Sequence, residues 1–210
     1  MPTRIKNCGL KTLETVDHSI ATGAKFLGFV HYPPSPRHLN LAEMRALVAH
    51  ATPRAKTVAV LVASENELLA AIAREVRPDY IQLHAVREGD RIAAIQEVFS
   101  IPIITAIAVR EPSDLTTLAT LEELSTHLLF DAPAPGGGKP FDWRLLKNLP
   151  LKKKWFLAGG LTAENVAQAI ASTDAPMVDV SSGIEEPVGS GEKSLEKIAA
   201  FNAAVLERSS

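Results

Sequence analysis

One cysteine and one aspartate stand where they can do proton chemistry. Cys8 closes the short strand-like run Arg4–Cys8, and Asp131 closes the apolar run Leu128-Leu129-Phe130. A thiolate can take a proton from carbon. Its unperturbed pKa is about 8.5, so a site that uses it must stabilise the anion. A carboxyl behind an apolar strand can have a raised pKa, stay protonated near neutrality and act as a general acid. Together the two separate a base from an acid, as acid–base isomerisation requires. Each also has an ordinary reading. Free cysteines are usually small buried hydrophobes, and Asp often starts turns.

The same chain offers two kinds of anion site. Val178-Asp179-Val180 runs into Ser181-Ser182-Gly183, and Leu157-Ala158 runs into Gly159-Gly160. Small residues at the carboxyl end of a strand leave main-chain N–H groups exposed, and aligned amides can cradle a phosphate. Ser-Ser-Gly alone is more often a tight turn. The spaced pair, with Gly159, Gly160, Ser182 and Gly183, is what points to a phosphate grip. Arg37 follows Pro33-Pro34-Ser35-Pro36. That stiff approach limits the freedom of its fork, which suits a carboxylate. His31 and His84 also end strand-like runs. His84 reads first as a satisfied polar residue and second as an active-site candidate. Gly136-Gly137-Gly138-Lys139 lacks the full Walker pattern and reads as a flexible loop or lid. The histidines and the cysteine show no metal-ligand spacing, so no metal is expected.

Elements must bring these residues together. Strands are predicted at Arg4–Cys8, Phe26–Val30, Thr57–Val62, Tyr80–His84, Pro102–Val109, His127–Asp131, Trp155–Ala158 and Val178–Val180. Helices are predicted at about Leu13–Ala21 (ended by Gly23), Leu41–Ala51, Glu65–Val76, Arg91–Phe99, Pro112–Leu124 and Glu192–Leu206. A short helix should start after Asp142. Another should be capped by Thr162, with Glu164 in its first turn. About eight strand–helix units point to a single-domain α/β fold over residues 1–210, a closed (βα)8 TIM barrel of parallel strands. A doubly wound sheet is the alternative. It would favour a Gly-rich first turn, whereas here the glycine pairs come late. In the barrel, strand carboxyl ends converge on one mouth, so the two phosphate turns would be neighbours there.

The bulk numbers fit. The chain has 210 residues, 46% apolar and 22% charged, enough for one large core. A net charge of −2 argues against nucleic acid as a partner. One cysteine excludes an internal disulfide framework and fits a reducing compartment. The amino terminus lacks a signal-peptide apolar region, and no apolar run approaches a membrane span. A cytoplasmic protein with no membrane partner is expected, a monomer in preference to a homodimer.

The ordered motifs Lys6-Asn7-Cys8-Gly9, Gly28-Phe29-Val30, Ser35-Pro36-Arg37, Gln82-Leu83-His84, Leu129-Phe130-Asp131, Gly136-Gly137-Gly138 with Phe141-Asp142-Trp143, Ala158-Gly159-Gly160-Leu161 with Asn165-Val166, and Val178 to Glu185 span almost the whole chain. In this the sequence resembles the phosphoribosylanthranilate isomerases of tryptophan biosynthesis. The resemblance implies an Amadori rearrangement of a phosphosugar, N-(5-phosphoribosyl)anthranilate, to 1-(2-carboxyphenylamino)-1-deoxyribulose 5-phosphate. It implies Asp131 as general acid and Cys8 as general base. It also implies Arg37 on the anthranilate carboxylate, and main-chain amides of Gly159-Gly160 and Ser182-Gly183 on the phosphate. No cofactor is implied, because the substrate nitrogen's lone pair drives ring opening. Two positions depart from the family. Asn7 replaces an apolar residue, commonly Ile, and strand alternation turns it toward the helices. A hydrogen-bond partner is expected for it there. Ala85 replaces a Gly, which adopts positive φ more cheaply. A related isomerase acting on another aminoaldose, and a non-catalytic phosphate-binding barrel, are the other readings. The set Cys8, Arg37 and Asp131 argues against both.

Overall fold

The structure, a computed structural model, describes residues 2–62, 65–86, 88–133 and 140–208. Eight strands follow one another: β1 (Arg4–Cys8), β2 (Phe26–His31), β3 (Lys56–Val62), β4 (Tyr80–His84), β5 (Ile103–Ala108), β6 (His127–Asp131), β7 (Trp155–Leu157) and β8 (Met177–Val180). Each pairs in parallel with the next, and β8 pairs with β1, so the sheet closes into a barrel. A parallel strand buried on both faces reads as a near-continuous apolar run, which is why Thr57–Leu61 is buried at every position.

The strands divide two cores. Inward-facing Phe26, Val30, Val58, Val60, Ile104, Ala106, Leu129, Phe156 and Met177 fill the barrel together with Cys8. Outward-facing Ile5, Leu27, Phe29, Leu61, Leu83, Phe130 and Val178 pack under the helices. Full burial of one such side chain contributes roughly 1.5–3 kcal/mol.

The helical layer comprises α1 (Leu13–Ala21), α2 (Leu41–Ala51), α3 (Asn66–Ala71), α4 (Gly89–Phe99), α5 (Leu118–Leu124), α6 (Val166–Thr173) and α7 (Leu195–Glu207). Local chemistry sets their starts. Thr12 Oγ1 accepts from the Thr15 N–H at 3.2 Å, and Asn40 and Glu43 form a reciprocal capping box. Asp142 caps the short 3-10 turn Trp143–Leu146, as its sequence context predicts.

Several helix bounds differ from expectation. Thr162 is not a cap. Asn165 takes that place because its Oδ1 accepts from the Thr162 N–H and its Nδ2 donates to the Gly160 carbonyl, pinning the preceding turn. Glu164 therefore lies before α6. The Glu65–Val76 helix changes to π-helical winding at Ile72. The Pro112 helix begins as a 3-10 turn, Pro112–Leu115, before α5. The last helix starts at Leu195 because Lys193 bridges Glu185 and Ser194 serves as the cap.

Both departures from the family pattern have visible consequences. Asn7 is fully buried, and neither its Oδ1 nor its Nδ2 has a partner among the described residues. The expected hydrogen bond is absent. Ala85 holds φ at +58°, so it keeps a glycine-like backbone at its own expense. Gly136, Gly137, Gly138 and Lys139 lie outside the described residues. No helix among the described residues is long and apolar enough to cross a membrane.

Candidate active site

All strands are parallel, so their carboxyl ends share one end of the barrel. Cys8 ends β1, His31 ends β2, His84 ends β4, and Asp131 ends β6. Gly159-Gly160 and Ser182-Gly183 lie just beyond β7 and β8, which are hydrogen-bonded neighbours. The structure thus brings every sequence-predicted site residue to one mouth.

Asp131 is half-buried at the end of β6. Burial pushes its carboxyl up to about 7, and Asp179 adds to the rise. A hydrogen bond from the Ala132 N–H, at 2.8 Å, and the charges of Lys6 and Arg37 pull the other way. A carboxyl in that range is a proton donor at neutral pH. Cys8 is 6% exposed. Burial pushes its thiol up, Asp179 pushes the same way, and Lys6 and Lys193 pull it down without cancelling the rise.

Two residues absent from the predicted set stand beside Cys8. Lys6 Nζ donates to Asp179 Oδ1 at 2.7 Å inside the barrel. Burial works against the Lys6 charge, but Asp179 and Cys8 outweigh it and hold the ammonium above its usual value. Two more surround Arg37. Its Nε donates to Glu185 Oε1 at 2.7 Å and its Nη2 to Oε2 at 2.8 Å. Lys193 Nζ donates to the same Oε1 at 2.7 Å and to the Ser181 carbonyl at 2.9 Å. Burial raises the Glu185 carboxyl, but these two cations more than offset it and keep it below its usual range. Two cations share one buried anion, so the cluster keeps a net positive charge for a ligand carboxylate. The Arg37 stem lies across Gly9, where a Cβ would stand 2.8 Å from Arg37 Cδ.

A cavity of about 230 Å³ opens beside the turns, lined by Gly160, Thr162, Ser182, Gly183 and Lys197 among others. Ser182–Ile184 is a 3-10 turn, whose leading amides have no acceptor within it. Gly183 is forced by contact, since a Cβ there would fall 1.9 Å from the Leu161 carbonyl oxygen. The two turns touch through bare backbone. His84 is held neutral: burial, then Lys6, lowers it to about 4, and its Nε2 lies 2.6 Å from Gln82 Nε2. His31 Nδ1–H donates to the Leu39 carbonyl at 2.8 Å, an anchor for the loop that carries Arg37.

Lys6 and Asp179 had a signal in the sequence. Each is a charge at an inward position of an apolar strand, where unpaired charge is rarely buried. Glu185 closes the last family motif, but its partner Arg37 lies 148 residues away, and Lys193, which joins that pair through Glu185, carried no signal.

The comparisons agree with this geometry. A profile of the family described as N-(5'-phosphoribosyl)anthranilate (PRA) isomerase matches residues 5–204. The chain is 42% identical over 208 residues to the N-(5'-phosphoribosyl)anthranilate isomerase of Beijerinckia indica subsp. indica, covering 96% of this chain and 93% of that one. It superposes on the phosphoribosyl anthranilate isomerase of Thermotoga maritima with a TM-score of 0.86 and 32% identity, covering 97% and 98% of the two chains. A crystal structure of a phosphoribosyl anthranilate isomerase in complex with reduced 1-(o-carboxyphenylamino)-1-deoxyribulose 5-phosphate matches with a TM-score of 0.84 and 31% identity, covering 97% and 98%. With a matched family profile over nearly its whole length, this closed barrel belongs to the N-(5'-phosphoribosyl)anthranilate isomerase family.

Proposed function

We infer that this chain catalyses the Amadori rearrangement of N-(5'-phosphoribosyl)anthranilate, a step of tryptophan biosynthesis. The observation that carries the reading is that a closed parallel barrel puts the Cys8 thiol at the end of β1 and the Asp131 carboxyl at the end of β6, on one mouth.

Asp131 gives its proton to the furanose ring oxygen. The C1–O bond breaks as the lone pair of the substrate nitrogen forms the iminium. Cys8, as thiolate, removes the proton from C2, and the C–H electron pair neutralises the iminium as an enolamine. Tautomerisation gives the aminoketose. Arg37 faces the anthranilate carboxylate with the guanidinium edge that Glu185 leaves unused, and its orientation is fixed before the ligand arrives. The amides at Gly159-Gly160 and Ser182-Gly183 take the phosphate. His84, neutral and at the mouth, lines the site as a hydrogen-bonding group. These steps use only the substrate's own electrons and the chain's acid and base, so no cofactor or metal enters them.

The proposal includes a monomer. Among the described residues the exposed large apolar side chains are Leu13, Tyr32, Val98, Val188 and Leu206, few for the apolar centre of an obligate interface. Sedimentation at working concentrations checks this.

The direct test adds phosphoribosylanthranilate, generated in situ, and follows the loss of its anthranilate-type fluorescence. Cys8→Ser and Asp131→Asn should each lower kcat by orders of magnitude with little change in KM. Near-normal turnover of Cys8→Ser removes the thiol from the reaction. A rise in KM alone for Asp131→Asn makes that residue a binding group.

A further inference from the structure

Beneath Cys8, inside the barrel, lies an ion pair that the steps above do not use. Lys6 and Asp179 are register partners on β1 and β8, joined at 2.7 Å. Lys6 is wholly buried and Asp179 is 8% exposed. A buried pair adds little to stability, and well-packed apolar residues often replace one without loss. Its place in an interior filled mainly by apolar side chains therefore calls for another reason.

The geometry supplies one. Lys6 precedes Cys8 by two residues, so both side chains leave the same face of β1. Gly28 on β2 is the register partner of Cys8. A Cβ on Gly28 would lie 2.6 Å from Cys8 Sγ and 3.1 Å from Lys6 Nζ. Ammonium and sulfur thus converge on one bare spot of backbone, and a side chain on Gly28 would collide with both.

We propose that Lys6, held by Asp179, is a positioning residue that supplies the counter-charge for the Cys8 thiolate. The proposal rests on the reading of Cys8 as the general base. The other charged groups around the sulfur are Asp179 from β8 and Lys193 from the loop before α7. Lys6 in turn acts on His84 of β4 and Asp131 of β6, and Arg37 acts on Asp131 from the loop after β2. Lys193 is already bonded to Glu185 and Ser181. Asp179 and the Cys8 thiolate both favour the Lys6 charge against its burial, so without Asp179 the thiolate is left as its counter-ion.

Because Cys8 is the sole cysteine, the rate of iodoacetamide alkylation across pH reads this thiol alone. The purified full chain is compared with Lys6→Met, Asp179→Asn and the double variant Lys6→Met/Asp179→Leu, which leaves no lone buried charge if Lys6→Met fails to fold. Removing the cation should move the alkylation midpoint up by about one pH unit or more, with the alkaline limb of kcat/KM moving alongside. Alkylation below the midpoint should then slow by about tenfold or more. Asp179→Asn should move the midpoint down. Opposite signs from the two halves of one ion pair are what a purely structural role cannot give. A midpoint that stays in place in whichever of Lys6→Met and the double variant folds, or shifts of the same sign in Lys6→Met and Asp179→Asn, overturns the proposal. Normal turnover of Cys8→Ser would instead overturn the underlying reading of Cys8, while the midpoints would still report the hold of Lys6 on the sulfur.

Discussion

Arg37 and Glu185 meet through two parallel hydrogen bonds, at 2.7 and 2.8 Å, with the Glu185 side chain wholly buried. The arginine proposed to bind the substrate carboxylate is therefore aimed by an internal carboxylate, not by its proline-rich loop alone. Glu185→Gln keeps the shape but removes the charge and the two-oxygen acceptor. The expected outcome is a rise in KM of about 10- to 100-fold, from the loss of roughly 1.5–3 kcal/mol of charge-assisted bonding, with a smaller fall in kcat. Steady-state kinetics separate the two. A fall in kcat alone would place Glu185 in the chemistry instead.

The raised Asp131 carboxyl fixes a pH dependence. As general acid Asp131 must hold its proton, and Cys8 must have lost its own. The thiol is raised above the carboxyl, so thiolate gained above pH 7 offsets acid lost, and kcat should rise with pH up to about 7 and then level. Stability follows the Asp131 proton. The unfolded chain releases it near pH 4 and the folded chain only near 7, so the folded state loses stability across that interval as pH rises. Asp131→Asn, which keeps an acceptor for the Ala132 N–H, should be more stable than the parent by about 2–4 kcal/mol at pH 8. Below pH 4 the two should nearly coincide. Denaturant unfolding at the two pH values checks the sign.

Gly183→Ala should separate the two turns proposed to hold the phosphate. The new Cβ has nowhere to go except into the Leu161 carbonyl, 1.9 Å away, so the main chain of one turn must yield. Overpacking of this kind costs about 1–3 kcal/mol. Inhibition by inorganic phosphate should weaken by about tenfold or more, and thermal unfolding should come earlier. Unchanged phosphate inhibition would move the phosphate site elsewhere.

Asn7→Val should stabilise the protein. It removes two buried polar atoms without partners, each group of this kind costing about 1–3 kcal/mol, and supplies a β-branched side chain suited to a strand. An increase in Tm of about 2–8 °C is expected. A lower Tm would mean that the amide has a bound water or another partner worth keeping.

Ala85→Gly should stabilise by about 1 kcal/mol, because φ +58° puts a Cβ in a strained position that Gly avoids. Equilibrium unfolding of the single variant is the measurement.

Much of the architecture was legible along the chain, because parallel strands buried on both faces and amphipathic helices write their periods into neighbouring residues. β1, β4 and β6 run as their apolar patterns predict, and so do α1 and α2. Helix starts that depend on a side chain folding back, such as Asn165 onto Thr162 and Gly160, were misread, because Thr162 carries the same capping chemistry one turn earlier.

The barrel, the proposed acid and base at two strand ends, and the glycine pairs of the proposed phosphate turns can all be read along the chain. Each of these depends on residues close together in the chain. Only the tertiary structure decided what surrounds them. Lys6 meets Asp179 across 173 positions, and Arg37 meets Glu185 across 148. Coulomb interaction acts through space, in a medium whose polarity the fold creates. The charge that each proposed catalytic group carries is therefore a property of the closed barrel and not of any segment of it.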